Sequence, residues 1–272
     1  PNSEVRLYDN YMGAVLARGG FDARSWDVAS ISFYTWYDIE EEYDYLYLFV
    51  YDGEDWHMIW EATGSTNGEW RYVDIRVPDE YLNTDDFWLA FYFYSDMSIY
   101  FEGAYLDYIQ VKTYDIGLLD YNLNTNITNP GEAFEISYYI DNSSPYNIEV
   151  GLGAALRDPN GNIIYDHEND VVVTVPANST VWAERLFKMP SDAVSGSYDL
   201  QLTLWSGDPW NSRLWHDSGW ISNAIELESN EYFYDVTINP LDSDGDGYND
   251  GLEIEMDVDT TDGTLMVTVA GY

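Results

Sequence analysis

The runs SISFYTWYDI, YDYLYLFVYD, EWRYVDIRV, DFWLAFYFYS and AYLDYIQVKTYD crowd β-branched and aromatic residues together, and glycine, asparagine, aspartate and proline separate them. Residues of the first kind suit a pleated, half-buried surface and those of the second suit turns, so this part of the chain reads as strands joined by loops. Long apolar patterns at the helical period are missing, which excludes a helix bundle. Within YDYLYLFVYD, Leu46, Leu48 and Val50 alternate with Tyr45, Tyr47, Phe49 and Tyr51. Because side chains alternate across a strand, one face is aliphatic and the other aromatic. The aliphatic face is expected to line a sandwich core.

A second strand series follows residue 115: FEISYYIDN, VGLGAALRDPNGNIIYD, DVVVTVPANSTVWAERLF and GSYDLQLTLWSG. Asp158-Pro-Asn-Gly161 is a strong turn signal inside it, and turn signals every eight to twelve residues or so fit an immunoglobulin-like sandwich. The chain is therefore expected to be all-β, with one β-sandwich over residues 1–114, an immunoglobulin-like β-sandwich over 115–230, and a short segment over 231–272. That last segment holds EIEMDVDT and TLMVTVAGY around a turn at Asp262-Gly263. An isolated hairpin is marginal in water, so either a third domain continues the chain or these strands add to a sheet of the same or a neighbouring subunit.

The 272 residues include 50 acidic and 10 basic side chains, a formal charge of -40, with 46% apolar residues. That much apolar content argues for a folded core, and the charge opposes contact with nucleic-acid phosphates or anionic lipid and favours cations. Salt adaptation would also make a surface acidic, but it does not explain 26 Tyr and 11 Trp. Cysteine is absent, which removes disulfides and thiolate chemistry. No run is long enough to insert in a membrane. A start at Pro1 without a signal peptide is expected of a mature or excised product. Sequons at Asn126, Asn142 and Asn178 would, if used, mark an exported glycoprotein, extracellular or on the cell surface.

The stretch DSDGDGYNDGLE matches the calcium-loop pattern at every required position. Asp242, Asp244 and Asp246 stand at positions 1, 3 and 5, Gly247 at the sharp turn, Asp250 at position 9 and Glu253 at position 12. Calcium takes six to eight oxygens, and this spacing aims them inward while the Tyr248 carbonyl adds a backbone ligand. No helix pattern flanks the loop. It resembles the loops of thrombospondin type 3 repeats, which implies a structural calcium ion.

Residues 21–111 resemble the MAM-like jelly-roll domain that accompanies immune-inhibitor-type secreted metalloproteases. The likeness rests on ISFYTWYDIEEEYDYLYLFVYDG, Trp56, GEWRYVDIRVP and YFYSDMSIYFEGAYLDYIQV, in the family's order. It implies a two-sheet jelly roll in which the WYDIE and YLDYI strands approach each other, with a second calcium at Asp38, Glu40 and Asp107. The protease's zinc motif is absent, so no proteolytic activity is carried over. Residues 115–230 are similar to immunoglobulin-like modules of archaeal and bacterial surface proteins.

His57, His167 and His216 are isolated in sequence, and no nucleophile elbow or phosphate-binding loop occurs. No enzymatic activity is expected. Tyr45, Tyr47, Phe49 and Tyr51, with Trp88, Tyr92 and Tyr94, are candidates for exposed aromatic rows. Sugar stacking, subunit packing and a two-sided core are the uses open to them. Trp205, Trp210, Trp215 and Trp220 recur every five residues, a spacing that suits a packed loop or a binding edge. Two functions follow from these features. One is a calcium-stabilised structural subunit of a cell-surface filament that associates with itself through terminal strands. The other is a carbohydrate-binding or adhesin module of a larger secreted protein.

Overall fold

The computed structural model describes residues 7–228, 232–241, 245, 247 and 251–259. The first seven strands are β1 (Gly13–Phe21), β2 (Val28–Asp38), β3 (Tyr45–Tyr51), β4 (Trp56–Ala62), β5 (Arg71–Arg76), β6 (Phe87–Tyr94) and β7 (Gly103–Tyr114). They form two antiparallel sheets, in the orders β1-β6-β3-β4 and β5-β2-β7. Between the sheets lie Ile31 and Phe33 from β2, Leu48 and Val50 from β3, and Phe87, Leu89 and Phe91 from β6, all buried. Phe33 meets Phe91 and Trp60 edge-on, with centroids 4.9 and 5.2 Å apart. The alternation in β3 is as expected: Leu46, Leu48 and Val50 are buried, and the four aromatic residues between them face out. Strands WYDIE and YLDYI do approach, since Trp36 pairs with Tyr105.

The next nine strands are β8 (Ile116–Leu123), β9 (Ile127–Thr128), β10 (Ala133–Asn142), β11 (Ile148–Arg157), β12 (Ile163–Tyr165), β13 (Val171–Val175), β14 (Ser179–Lys188), β15 (Gly196–Trp205) and β16 (Leu214–Leu227). One sheet runs β14-β10-β8 and the other β12-β11-β15-β16-β9, with β13 beside β11. Their core includes Phe134, Ile136, Tyr138, Leu152, Leu200 and Leu202. Tyr138 is buried and spends its hydroxyl on the Gly153 carbonyl, so no polar group is stranded. β11 is buried along nearly its whole length, with Gly207 and Pro209 lying over its outer side at Gly151 and Thr203 and Trp205 covering Gly153. A Cβ on Gly151 would sit 1.9 Å from the Gly207 carbonyl oxygen, so glycine is required there. Trp205 and Trp210 pack together over this shelf, Trp215 packs against the core, and Trp220 takes Arg157 over its ring. The five-residue tryptophan spacing thus serves a packed loop and its flanks.

β17 (Tyr232–Leu241) pairs antiparallel with β18 (Gly251–Asp259), with Asn239 opposite Glu253. The expected partner across Asp262-Gly263 lies outside the described residues, as does TLMVTVAGY. No helix among the described residues is long and apolar enough to cross a membrane.

The two strand sets are joined by more than the chain. Val28 contributes to the second core, and Tyr146 donates to Asp74 at 2.8 Å. Arg213 reaches from the β15–β16 loop to the carbonyls of Trp26 at 2.6 Å and Arg24 at 2.8 Å. Beside it, Asp27 accepts the Ile116 N–H at 2.9 Å, and burial pushes its carboxyl up to about 6. The unperturbed value is near 4, so between about pH 4 and 6 the native state holds more protons than the unfolded chain. This group's contribution to stability therefore falls as pH rises through that window. Asp27→Asn keeps an acceptor and removes the ionisation. It is expected to raise the thermal midpoint above wild type at about pH 7.5 and to match wild type near pH 4. A variant less stable than wild type at the higher pH would show that attraction to Arg213 outweighs the burial of the charge.

Candidate metal centre and aromatic binding face

The turn from β2 to β3 is closed by Asp44 N–H on the Glu40 carbonyl at 3.0 Å. It places Glu40 and Asp44 at one end of the first sandwich, where Asp96 arrives from the β6–β7 loop. Each of the three offers a carboxylate oxygen, and these oxygens lie within 4.8 Å of one another. Asp44 is fully buried. It accepts the Asp96 N–H at 2.8 Å through Oδ1 and the Tyr8 hydroxyl through Oδ2. Glu40 Oε2 is shielded from solvent and has no hydrogen-bond partner among the described residues. Burial first, then the charges of Asp96 and Asp44, raise the Glu40 carboxyl above its ordinary value. Burial and the bond to Asp44 raise the Tyr8 phenol in the same way. An all-oxygen set with an orphaned carboxylate oxygen suits a hard divalent cation and offers nothing to a soft one.

Among the carboxylates expected to hold a second ion, Glu40 belongs to this cluster and the other two do not. Asp38 pairs with Gly103 and Asp107 with Tyr34, four positions apart along the two strands, or about 13 Å. Asp44 and Asp96 were not anticipated: they are 52 residues apart, and only the fold brings them together. In the 242–253 loop, Asp242, Asp244, Asp246, Tyr248 and Asp250 lie outside the described residues. Gly247 has φ +90, the left-handed backbone its turn position needs, and Glu253 falls on β18.

All seven expected aromatic residues share one surface, the outer face of β1-β6-β3-β4. Tyr45 pairs with Tyr94, Tyr47 with Tyr92 and Tyr51 with Trp88, while Phe49 faces Ala90. Tyr45 and Tyr47 stack at 5.4 Å and 14°, and Tyr47 and Tyr92 at 6.3 Å and 16°. β4 adds the exposed Trp56, 5.3 Å from Tyr51, and the exposed Met58. β1 keeps the surface low with Gly13, Ala17 and Gly19. A Cβ on Gly19 would come within 2.1 Å of the Trp88 ring, so that ring lies across the edge strand only because residue 19 is glycine. A shallow apolar groove of about 350 Å³ runs between Val15, Ala17, Phe49, Trp56, Ala90 and Tyr92. Tyr45 and Tyr51 bond their hydroxyls to the carbonyls of Glu42 and Gly53, and Trp88 donates to Asp86. The hydroxyls of Tyr47, Tyr92 and Tyr94 bond to none of the described residues. The opposite sheet carries a second aromatic group that sequence reasoning missed, with Tyr34 against Tyr72 and Trp36 against Tyr105.

Asn126 and Asn178 are exposed. Asn142 is fully buried, and its Nδ2 donates to the carbonyls of Tyr146, Val175 and Pro176 at 2.8–3.1 Å. It pins the turn between β10 and β11, and the fold leaves that amide no room for a glycan. His57 stacks on Tyr81 at 4.0 Å and faces Asp52, whose carboxyl is lowered by the N–H groups of Asp55 and Glu54 and by His57. His167 faces Asp170, and burial lowers the His216 imidazole.

No family model matches the chain, and no curated protein does. Solved structures resemble it at low identity. The C-terminal domain of Wzt is 14% identical over 42% of this chain and 73% of its own, with a TM-score of 0.31. Bacteroides uniformis beta-glucuronidase is 10% identical over 85% of this chain, with a TM-score of 0.32, and the match spans 27% of the enzyme. The CARDB domain of a Pyrococcus furiosus protein, solved in complex with di-metal ions, is 9% identical over 42% of this chain and 93% of its own, with a TM-score of 0.27.

Proposed function

We propose that this chain is a non-catalytic, calcium-stabilised binding module of an exported or cell-surface protein, and that the outer face of β1-β6-β3-β4 binds a neutral carbohydrate chain. The supporting observation is the aromatic face itself, which sets seven rings on neighbouring strands with three phenol hydroxyls that bond to none of the described residues. Aromatic faces bury the apolar side of a pyranose ring while phenols meet its hydroxyls, and a chain of charge -40 repels acidic polymers. Calcium at Glu40, Asp44 and Asp96 would fix the loops at the end of this sandwich, and a second ion in the 242–253 loop would do the same beside β17 and β18.

A second reading, a self-assembling subunit of a surface filament, uses the same face against another copy. It is favoured by the face being largely aromatic and apolar, with Glu61 opposite Tyr47 as a charged member, on a strongly charged chain where copies would otherwise repel. Its other support, strand exchange through TLMVTVAGY, falls outside the described residues.

Retention on neutral polysaccharides, measured for wild type and for Trp88→Ala and Tyr47→Ala, separates the two. Carbohydrate binding by a monomer, weakened about tenfold by either change, is the expected result for ring-centred contacts. Absence of binding to every neutral polysaccharide, with concentration-dependent assembly lost in Trp88→Ala, would replace the first reading with the second.

A further inference from the structure

Two places away from the β1-β6-β3-β4 face join an aromatic ring, a carboxylate and a cation. Lys112 Nζ donates to the Tyr72 hydroxyl at 3.2 Å, stands 5.8 Å from the centre of that ring, and is 3.9 Å from Asp74, two residues further along β5. Arg157 stands 4.8 Å from the centre of the Trp220 ring and pairs with Asp199. A third place has the ring and the carboxylates without the cation. On β14, Trp182 and Glu184 repeat the two-residue spacing of Tyr72 and Asp74. Trp182 is 52% exposed and stacks on Tyr139 at 4.9 Å and 20°.

The register builds the site. Trp182, Tyr139 and Asp120 form one row across β14, β10 and β8, and Glu184, Ser137 and Asn122 form the next. The small Ser137 leaves a depression of about 400 Å³ bordered by Trp182, Glu184, Asp120 and Asn122. Glu184 also borders a neighbouring depression of about 350 Å³ lined by Glu135 and Glu168. Arg185 touches the second depression, but its guanidinium is held by Asp170. Among the described residues no lysine or arginine pairs with Asp120, Glu184, Glu135 or Glu168.

We propose that this trough docks an arginine or lysine side chain presented by a partner polypeptide. The ring face attracts a cation through its quadrupole, and the carboxylates on either side supply the complementary charge. A neutral sugar would make little use of flanking carboxylates, and a hard metal ion would make none of the indole. The two filled examples show the occupant's chemistry, since both are amino-acid side chains. The field of an acidic chain would speed the encounter. The proposal is independent of carbohydrate binding at the β1-β6-β3-β4 face.

The test is titration of the full chain, at about physiological ionic strength, with a short capped peptide carrying one arginine and one lysine. Binding is read from the fluorescence anisotropy of a dye-labelled peptide, a signal that every variant retains. Saturable one-to-one binding is expected, weakened roughly two- to fivefold by Trp182→Ala, the range of an exposed cation–π contact. Glu184→Gln should weaken it similarly, Trp182→Tyr should retain most of it, and Tyr47→Ala should leave it unchanged. Peptide affinity that survives Trp182→Ala intact, or an uncharged analogue that binds as well, would overturn the site. Equal competition by a simple alkyl polyamine that ignores both substitutions would reduce it to general attraction by an acidic chain and overturn it too.

Discussion

Replacing Arg185 with alanine is expected to lower the unfolding free energy by about 3–5 kcal/mol, the cost of leaving a buried charge without its partner. The Arg185 side chain is inaccessible to solvent and lies 2.7 Å from Asp170, which is itself nearly covered. Its other donors reach the carbonyls of Asp166 at 2.8 Å and Leu186 at 3.0 Å. Asp170 in turn accepts from the Trp210 indole, so the one guanidinium ties β14 to the 166–170 segment and to the loop over Gly151. Burial raises the Asp170 carboxyl even with Arg185 beside it, so the pair's value lies in its being complete. Arg185→Met combined with Asp170→Leu should recover a large part of the loss, because it removes both charges at similar volume. Denaturant midpoints for the single and double variants test this. A single-variant loss below about 1 kcal/mol would mean that water replaces the missing guanidinium.

Calcium at a hundredfold excess over its dissociation constant should add about 2.7 kcal/mol of stability per site, and a chelator should remove it. The triad's part can be isolated. In Asp44→Ala the cluster loses its buried member, so the increment owed to Glu40, Asp44 and Asp96 should vanish while that of the 242–253 loop persists. Asp44→Ala also strands the Asp96 N–H and the Tyr8 hydroxyl, a baseline loss of about 1–3 kcal/mol that calcium cannot restore. Magnesium should give a smaller increment, because it gives up its waters reluctantly. An increment unchanged in Asp44→Ala would assign all the calcium response to the loop.

The strand pattern was legible because each strand records its two faces locally. Leu46, Leu48 and Val50 against Tyr45, Tyr47, Phe49 and Tyr51 marked the core and the aromatic side of β3, while the register that sets Tyr94, Tyr92 and Trp88 beside them comes from the fold. The metal cluster was not legible, since nothing local marks Asp44 or Asp96 among 50 acidic residues. Asp38 and Asp107 lie on paired strands yet are held apart by register, which no local pattern records. Asn142 satisfies the sequon rule and is nonetheless a buried pin, because the carbonyls it serves lie as many as 34 residues away. Trp182 and Tyr139 each looked ordinary until β10 and β14 placed them side by side.

Covalent footprinting of aromatic and methionine side chains, with and without a neutral polysaccharide, tests the carbohydrate face most directly. Protection concentrated at Trp56, Met58, Trp88, Tyr92 and Tyr94, with Trp182 and Trp70 unchanged, is the expected result. Protection on the Tyr34, Tyr72 and Tyr105 side of the sandwich, or none anywhere at saturating polysaccharide, would contradict it.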